Sequence, residues 1–239
     1  MNEYILEARV LLKERAKEVN SHLSFVQALI DSKANSLARR AHDGEIIFSE
    51  HKIDRRLVKT LSATGYLLIY NLIESVMTDA LDAVHKQLQS DELTFSQLSD
   101  ELKKICLRDF NKSTVNQKHL LEHGEISLDK ALTWLGYSRF NHFNGNIDAK
   151  TIQKKARSYG FSIADHDRKF TNDGQILRDI RDKRNSLAHG EVSFEECGQD
   201  TAIESLIVLN EQACMYLSAV LDGVDHFLTK KRYRNVEEG

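Results

Sequence analysis

The pattern of apolar and polar residues predicts helices over most of this 239-residue chain. From Tyr4 to about Ala34, apolar residues recur every three or four positions among Lys, Arg and Glu, as on one face of a long amphipathic helix. A second helix is predicted from about Ile53 to Gln89, and its middle, Tyr66 to Met77, is apolar on nearly every side. A helix of that kind lies at the centre of a bundle.

Weaker signals mark the connection between these helices and the start of a third. Between Ser36 and Glu50 the pattern is mixed and does not determine the form of the connection. Thr94-Phe95-Ser96-Gln97 has the residues of a capping box, which predicts a helix from there to about Phe110. From 111 to 145, glycine and asparagine interrupt the pattern, so we expect short helices and loops inserted between the halves of the bundle.

Three more helices are predicted in the second half of the chain. One covers Asn146 to Tyr159 and ends at Gly160. The next covers Gln175 to His189 and ends at Gly190, a residue suited to a left-handed helix cap. Thr201-x-x-Glu204 is a second capping box and predicts the start of the last helix.

Composition points to the same all-α class. The chain has no proline, which favours long uninterrupted helices over a turn-rich β fold. We expect one domain over residues 1–239, in which the segment 111–145 has the character of an insertion. The three cysteines are widely spaced, as in a reducing compartment. The sequence has neither a bilayer-length apolar run nor the basic start of a signal peptide, so we expect a cytoplasmic protein without a membrane segment.

Charge is distributed unevenly along the chain. The net charge is −3, which argues against a protein that binds nucleic acid over its whole surface. Lys150 to Arg184, however, contains ten Lys or Arg and five Asp or Glu, and Gly190 to Glu211 contains six acidic residues and no base. Any nucleic-acid binding must therefore be local.

The helix that ends at Gly190 carries the most informative polar residues. Arg184 falls on its apolar stripe, where a guanidinium needs a partner, and Glu74 in the central helix is the obvious candidate for a buried ion pair. Beside that stripe, Arg181, Asn185 and His189 are spaced four residues apart and form a ridge. We therefore expect Arg184, Asn185 and His189 to converge on one edge of the bundle.

An arginine beside a histidine suits phosphate chemistry. The guanidinium can bind charged oxygens with two parallel hydrogen bonds, while the imidazole accepts or donates a proton. His189 stands in the last helical turn, where the helix dipole favours its protonated form and a nearby Arg184 opposes it. The two effects together can hold the imidazole close to neutrality, as acid–base catalysis requires.

Arg184-Asn185-Ser186-Leu187-Ala188-His189 resembles the signature of the HEPN superfamily, an Arg followed after four to six residues by a His, often with a polar residue directly after the Arg. The resemblance extends to three other stretches that flank or precede the motif: Leu67 to Ser75, Gly145 to Asp148, and Val192 to Glu196. Prokaryotic HEPN-like nucleases linked to phage defence and restriction carry similar stretches.

This resemblance implies an up-and-down helical bundle that cleaves RNA without metal or any other cofactor. It implies a homodimer in which Arg184 and His189 of both subunits form one composite catalytic site, with Asn185 positioning the phosphate or the histidine. The expected reaction is attack of a ribose 2′-hydroxyl on the adjacent phosphorus, which leaves a 2′,3′-cyclic phosphate and a 5′-hydroxyl. Expected partners are RNA, a second copy of the chain, and an antitoxin or another defence-system protein.

RNA contact is expected from the basic residues next to the site. These are Lys154, Lys155, Arg157 and Arg181. The basic tail from Lys230 to Arg234 offers a second basic surface before it frays. The alternative interpretation of the whole chain is a noncatalytic HEPN module that binds a protein or nucleotide partner through the same dimer surface.

Two other clusters suggest metal binding. His119-Leu120-Leu121-Glu122-His123 has the H-x-x-E-H spacing of an inverted zinc-peptidase motif, for which Glu195, Glu196 or Glu204 is a candidate third ligand. Asp165-His166-Asp167 is better interpreted as a charged loop, because no further ligands lie nearby in sequence. The prediction for this chain is that it has no metal site.

Overall fold

The computed structural model describes residues 1–113, 127–134, 143 and 145–235. Its helices confirm the predicted all-α class. They are α1 (Glu3–Asp31), α2 (Arg55–Ser90), α3 (Asp100–Ser113), α4 (Leu128–Trp134), α5 (Ala149–Tyr159), α6 (Arg168–Thr171), α7 (Gln175–Ala188), α8 (Phe194–Gln199) and α9 (Ile203–Thr229). None of the helices in these residues combines the length and the apolar character needed to span a bilayer.

Helix α2 is the centre of the bundle, as its sequence predicts. It packs against α1 and α9, the other two long helices, and also against α7 and α8. Its middle section is fully buried at Ile69, Tyr70, Leu72, Ile73, Val76 and Met77. Because α2 has apolar neighbours on several sides, burial of these side chains supplies much of the hydrophobic stabilisation of the fold.

The helix ends are set by short polar side chains and by glycine. Asp148 caps α5, since its Oδ1 accepts a hydrogen bond from the backbone N–H of Thr151 at 2.7 Å. Gly160 follows the same helix with a left-handed φ of 85°, and Gly190 follows α7 with a φ of 69°. The two glycine stops therefore lie where the sequence predicts them.

The connection between α1 and α2 is a β-hairpin. Its strands, β1 (Ser36–Arg40) and β2 (Ile46–Lys52), are antiparallel, with Ala38 opposite Phe48. Nearly every residue of both strands is exposed. Because neither face of the hairpin is buried, apolar and polar residues do not alternate along it, and the pattern that identifies most strands is missing.

Of the two predicted capping boxes, the one at Thr94 is formed and the one at Thr201 is not. The Thr94 box is formed, but it begins a single 3₁₀ turn, Phe95–Gln97, and α3 starts only at Asp100. The chain is extended at Leu98, which pairs with Arg234 of the tail in an isolated β-bridge. Thr201 does not cap α9, because its hydroxyl donates to the carbonyl of Cys197 at the end of α8.

Helix α8 itself was absent from the sequence prediction. It begins at a capping box in which Ser193 and Glu196 satisfy each other's backbone N–H groups. The basic tail packs against the bundle at Tyr233 and Arg234, and the residues after 235, where fraying is expected, lie outside the described residues. Tyr233 is buried, and its hydroxyl donates to Asp91 Oδ2 at 2.8 Å. Arg234 forms an ion pair with the same carboxylate at 2.5 Å. Most of the segment 111–145 lies outside the described residues.

Candidate functional site

Arg184 lies half-buried on α7 and stacks on an aromatic ring of the central helix. Its guanidinium carbon is 4.6 Å from the centroid of the Tyr70 ring. A guanidinium over an aromatic face is attracted to it electrostatically. The Tyr70 hydroxyl accepts a hydrogen bond from the backbone N–H of Ile147 at 3.2 Å, so the same tyrosine also fixes the segment that leads into α5.

One nitrogen of the Arg184 guanidinium makes all of its hydrogen bonds to the described residues. Nη1 donates to Asn185 Oδ1 at 2.9 Å and to the carbonyl of Gly145 at 3.4 Å. Nε and Nη2 donate to none of them. These two groups form one edge of the planar fork, and that edge matches two oxygens of a phosphate.

Asn185 and Arg181 tie the same helix to the segment 145–148. The Asn185 side-chain nitrogen donates to Asn146 Oδ1 at 2.9 Å. Arg181 forms an ion pair with Asp148, the residue that caps α5. Burial by itself would raise the pKa of Asp148, but hydrogen bonds from Thr151 and the charge of Arg181 lower it below its ordinary value. The Tyr70 ring and the Gly145 carbonyl therefore contact Arg184 directly, and the bonds of Asn185 and Arg181 fix the segment 145–148 against α7.

The expected ion pair between Arg184 and Glu74 is not formed. No guanidinium nitrogen of Arg184 lies within 4.0 Å of a carboxylate oxygen of Glu74. In the described part of the chain the Glu74 carboxylate accepts no hydrogen bond. Burial raises the pKa of Glu74 above its ordinary value, and the positive charge of Arg184 opposes that shift. Tyr70 takes the place that the sequence assigned to Glu74, because the ring lies directly under the guanidinium.

His189 follows the last residue of α7 and is exposed. Its backbone N–H bonds to the carbonyl of Asn185 at 2.9 Å, and its imidazole makes no hydrogen bond to a described residue. No hydrogen bond or cation–π contact joins Arg184 to His189 within one chain. At about 100° per residue, five positions place the two side chains about 140° apart around the axis. The structure thus joins Arg184 and Asn185, and it leaves the imidazole open to another molecule.

Comparison with known families identifies the family to which this chain belongs. A sequence profile described as MAE_28990-like HEPN matches residues 10–233, nearly the whole chain. The chain belongs to this HEPN family. Neither the search of curated proteins nor the search of solved structures gives a significant match.

The four basic residues expected to contact RNA differ in how this HEPN chain uses them. Arg181 is engaged by Asp148 and also by Asp182. Lys155 lies over the ring of Phe143, with its Nζ 5.5 Å from the centroid. Lys154 and Arg157 are exposed and line a groove between α3 and α5. These last two are therefore the best placed of the four to meet a ligand.

The described residues do not support either of the two candidate metal motifs. The H-x-x-E-H motif at 119–123 lies outside the described residues. Of its candidate third ligands, Glu195 pairs with Arg56 at 2.9 Å, and Glu196 is occupied in the Ser193 capping box. In the part of the chain that the structure describes, no group of three His, Cys, Asp or Glu side chains is arranged to hold a metal ion. Asp167 caps α6 instead.

Two of the stretches that carry the HEPN resemblance contain residues that contact Arg184, a role that the sequence alone does not assign to them. Tyr70 and Gly145 lie in two of the stretches that carry the HEPN resemblance, and the structure brings both against Arg184. Gly145 has a φ of 69°, and a Cβ added there would lie 3.5 Å from two guanidinium nitrogens. The signal available in the sequence was the recurrence of these stretches together with the Arg and His motif.

Proposed function

We propose that this HEPN protein is a metal-independent endoribonuclease. The observation that carries the proposal is the held guanidinium of Arg184, whose Nε and Nη2 remain available as donors on the same helix as the exposed His189 imidazole. A phosphodiester supplies the two acceptor oxygens that this edge requires. A ribose 2′-hydroxyl supplies the proton that a histidine can accept.

The reaction divides between these two groups. His189 accepts the proton of the 2′-hydroxyl as its oxygen attacks the adjacent phosphorus. Arg184 stabilises the negative charge that builds up on the two non-bridging oxygens. The bond from phosphorus to the 5′-oxygen breaks, and a second imidazole donates a proton to that oxygen. The products are a 2′,3′-cyclic phosphate and a 5′-hydroxyl, and no water is consumed.

A second copy of the chain completes the site. Because Arg184 and His189 of one chain lie about 140° apart around the axis of α7 and share no hydrogen bond, we place His189 of one subunit beside Arg184 of the other across a twofold axis at α7. Twofold symmetry then provides the two imidazoles that the reaction needs, one as base and one as acid. Asn185, which bonds to both Arg184 and Asn146, positions the guanidinium. Lys154, Lys155, Arg157 and Arg181 contact RNA or support that contact.

The biological setting we propose is that of a cytoplasmic toxin-like effector, held in check by an antitoxin or another defence protein. Expression of the chain alone should then slow the growth of the host. The Arg184→Ala variant should not. If both forms leave growth unchanged and neither cuts RNA, the chain is a noncatalytic HEPN module that binds a partner through the same surface.

Cleavage of purified RNA in EDTA tests the chemistry. We expect Arg184→Ala and His189→Ala to lower the rate at least about 100-fold, as removal of a charge-stabilising donor or a general base does. Arg178→Ala, on the same helix, and His226→Ala, in the last turn of α9, remove the same residue types elsewhere and should leave the rate unchanged. Equal cleavage by all four variants would contradict the assignment, as would products that lack a cyclic phosphate.

A further inference from the structure

A groove between α3 and α5 is the most basic concave surface among the described pockets. It has a volume of about 660 Å³. Lys104 and Arg108 line it from α3, while Lys150, Lys154 and Arg157 line it from α5. All five side chains are exposed, and Glu101 is the acidic residue that lines the groove with them. We call this surface the α3–α5 groove.

The cations of the α3–α5 groove are mostly unpaired. Arg108 is bonded to Asp109 at 2.8 Å. The ammonium groups of Lys104, Lys150 and Lys154 have no carboxylate within 4.0 Å in the described residues. Helix α5 as a whole contains four basic residues and no acidic one, and three of the four line the groove. These like charges repel one another, and a bound polyanion would relieve that repulsion. Binding would also release counterions from the polyanion, which favours association.

The positions of these cations follow the direction of the helices. Lys150, Lys154 and Arg157 are spaced four and three residues apart, so they lie on one face of α5 over about 10 Å of its length. Lys104 and Arg108 are also four residues apart, on the facing side of α3. The groove therefore has one row of positive charge on each of its two helices, an arrangement that suits a chain of phosphates better than one compact anion.

The groove begins where the Arg184 site ends. Asn146 bonds to Asn185, Asp148 pairs with Arg181, and Lys150 lies in the first turn of the helix that Asp148 caps. A strand that runs from Arg184 along α5 would therefore meet Lys150 first among the groove cations of that helix. Among the described residues that line the groove none is aromatic, so these residues offer no platform on which a base can stack.

We infer that the α3–α5 groove binds the sugar–phosphate backbone of single-stranded RNA beside the scissile phosphate, without reading its sequence. This inference rests on the proposed ribonuclease function and names the part of the surface that holds the substrate. Arg181 is not the main contact, because Asp148 and Asp182 already neutralise its charge.

The test measures binding with a probe that cannot be cleaved by the proposed reaction. A fluorescein-labelled 20-nucleotide 2′-O-methyl RNA lacks the attacking hydroxyl, so its affinity is independent of whether the chain is a nuclease. If four cations neutralise phosphates, the slope of log affinity against log salt is about −3, and affinity falls about 50-fold between 50 and 200 mM salt. Probes of different base sequence should bind equally.

Paired variants identify the surface responsible. Lys150→Ala with Lys154→Ala removes two groove cations, and we expect the salt slope to fall to about half. Lys13→Ala with Lys17→Ala is the matched control, because these lysines are also four residues apart and exposed, on α1. It should leave the slope unchanged. Lys104→Ala tests the opposite wall and should reduce the magnitude of the slope by about 0.7.

The outcomes separate this inference from the proposed function. If the groove variants keep the salt slope and the affinity of the control, the groove does not bind RNA, whatever the cleavage assay shows. If cleavage is absent but the groove variants still lose binding, the ribonuclease proposal fails and the groove remains. With cleavable RNA, the Lys150→Ala and Lys154→Ala double variant should raise KM several-fold at unchanged kcat, whereas Arg184→Ala lowers kcat.

Discussion

At the scale of single residues, Arg184 shows how a charged side chain is kept in place without a carboxylate partner. The Tyr70 ring supports its flat face, and Asn185 and Gly145 accept from a single nitrogen. A carboxylate bonded to Nε and Nη2 would occupy the edge that faces a ligand and would neutralise the charge. Because an aromatic ring and neutral oxygens support Arg184 instead, its positive charge is not neutralised and its Nε and Nη2 groups remain available as donors.

Glu74 gives a prediction about stability and pH. Burial raises its pKa in the folded chain, against the charge of Arg184, so ionisation of this carboxyl disfavours folding. The folded state therefore loses stability as the pH rises from the ordinary glutamate range through the raised pKa. Glu74→Gln cannot ionise and should escape that loss. Relative to the wild type, its free energy of unfolding should increase from pH 4 to pH 7, as measured by urea unfolding.

Glu14→Gln is the control for this experiment, because it removes one carboxylate from an exposed position on α1. Its free energy of unfolding should follow the wild-type pH dependence more closely. A Glu74→Gln variant whose free-energy difference from the wild type stays constant over this pH range would contradict the expected effect of burial.

At the scale of secondary structure elements, the close contact of α8 with α2 depends on one glycine. A Cβ added at Gly198 would lie 1.9 Å from the backbone oxygen of Lys59. Such a distance is far below van der Waals contact, and the obstacle is main chain, which cannot rotate away. Helix α8 can pack on the central helix at this distance only because residue 198 has no side chain.

Gly198→Ala should therefore destabilise the protein by about 1–3 kcal/mol, the usual cost of overpacking, even though alanine is the better helix former. Gly65→Ala is the matched control within α2. Its Cβ would meet the side-chain ends of Leu23 and Leu206 at 3.0 Å, and these can shift. Urea unfolding of both variants should show the larger loss for Gly198→Ala. Equal losses would show that the Lys59 contact does not limit the packing.

Sequence pattern was sufficient for elements that bury one face or all faces. The amphipathic α1 and the apolar α2 follow from periodicity, and the stops at Gly160 and Gly190 follow from local chemistry. The hairpin was missed because it buries no face. The helix predicted to start at Thr94 starts only at Asp100, because Leu98 pairs with Arg234 of the distant tail and interrupts it.

The candidate site divides in the same way. Arg184, Asn185 and His189 are neighbours in sequence, so their motif could be recognised directly. Tyr70 and Gly145 are 114 and 39 residues away from Arg184 along the chain, and only folding brings them to it. A resemblance marked those segments, but neither spacing nor periodicity predicts that an aromatic ring, instead of the Glu74 carboxylate, supports the guanidinium.

At the scale of the whole molecule, one chain of 27.4 kDa presents half of the proposed site. Mixing two inactive variants tests this directly. In a heterodimer of Arg184→Ala and His189→Ala subunits, neither subunit has both groups, but one intact Arg184 and one intact His189 are present. If the site is shared, the mixture should recover a fraction of the wild-type cleavage rate. Size-exclusion chromatography at the same concentration should show a dimer.

Each inactive variant alone provides the baseline for this experiment, because a homodimer of either one lacks both copies of one group. A mixture that stays as inactive as its parents, although heterodimers are formed, would contradict a site assembled from two subunits. The recovered rate should rise and fall with the heterodimer fraction as the mixing ratio is varied.

A chain of hydrogen bonds links the start of α1 to the tail beyond α9. Asn2 donates to Gln87, Gln87 donates to Asp91, and Asp91 binds Tyr233 and Arg234. Residues 2 and 234 are therefore both attached to the C-terminal end of α2, whereas the exposed hairpin precedes its N-terminal end. A circularly permuted protein could therefore be made by joining the two ends of the chain with a short peptide and opening the chain at Gly44 in the hairpin turn. We expect it to keep the same bundle and the same surroundings of Arg184.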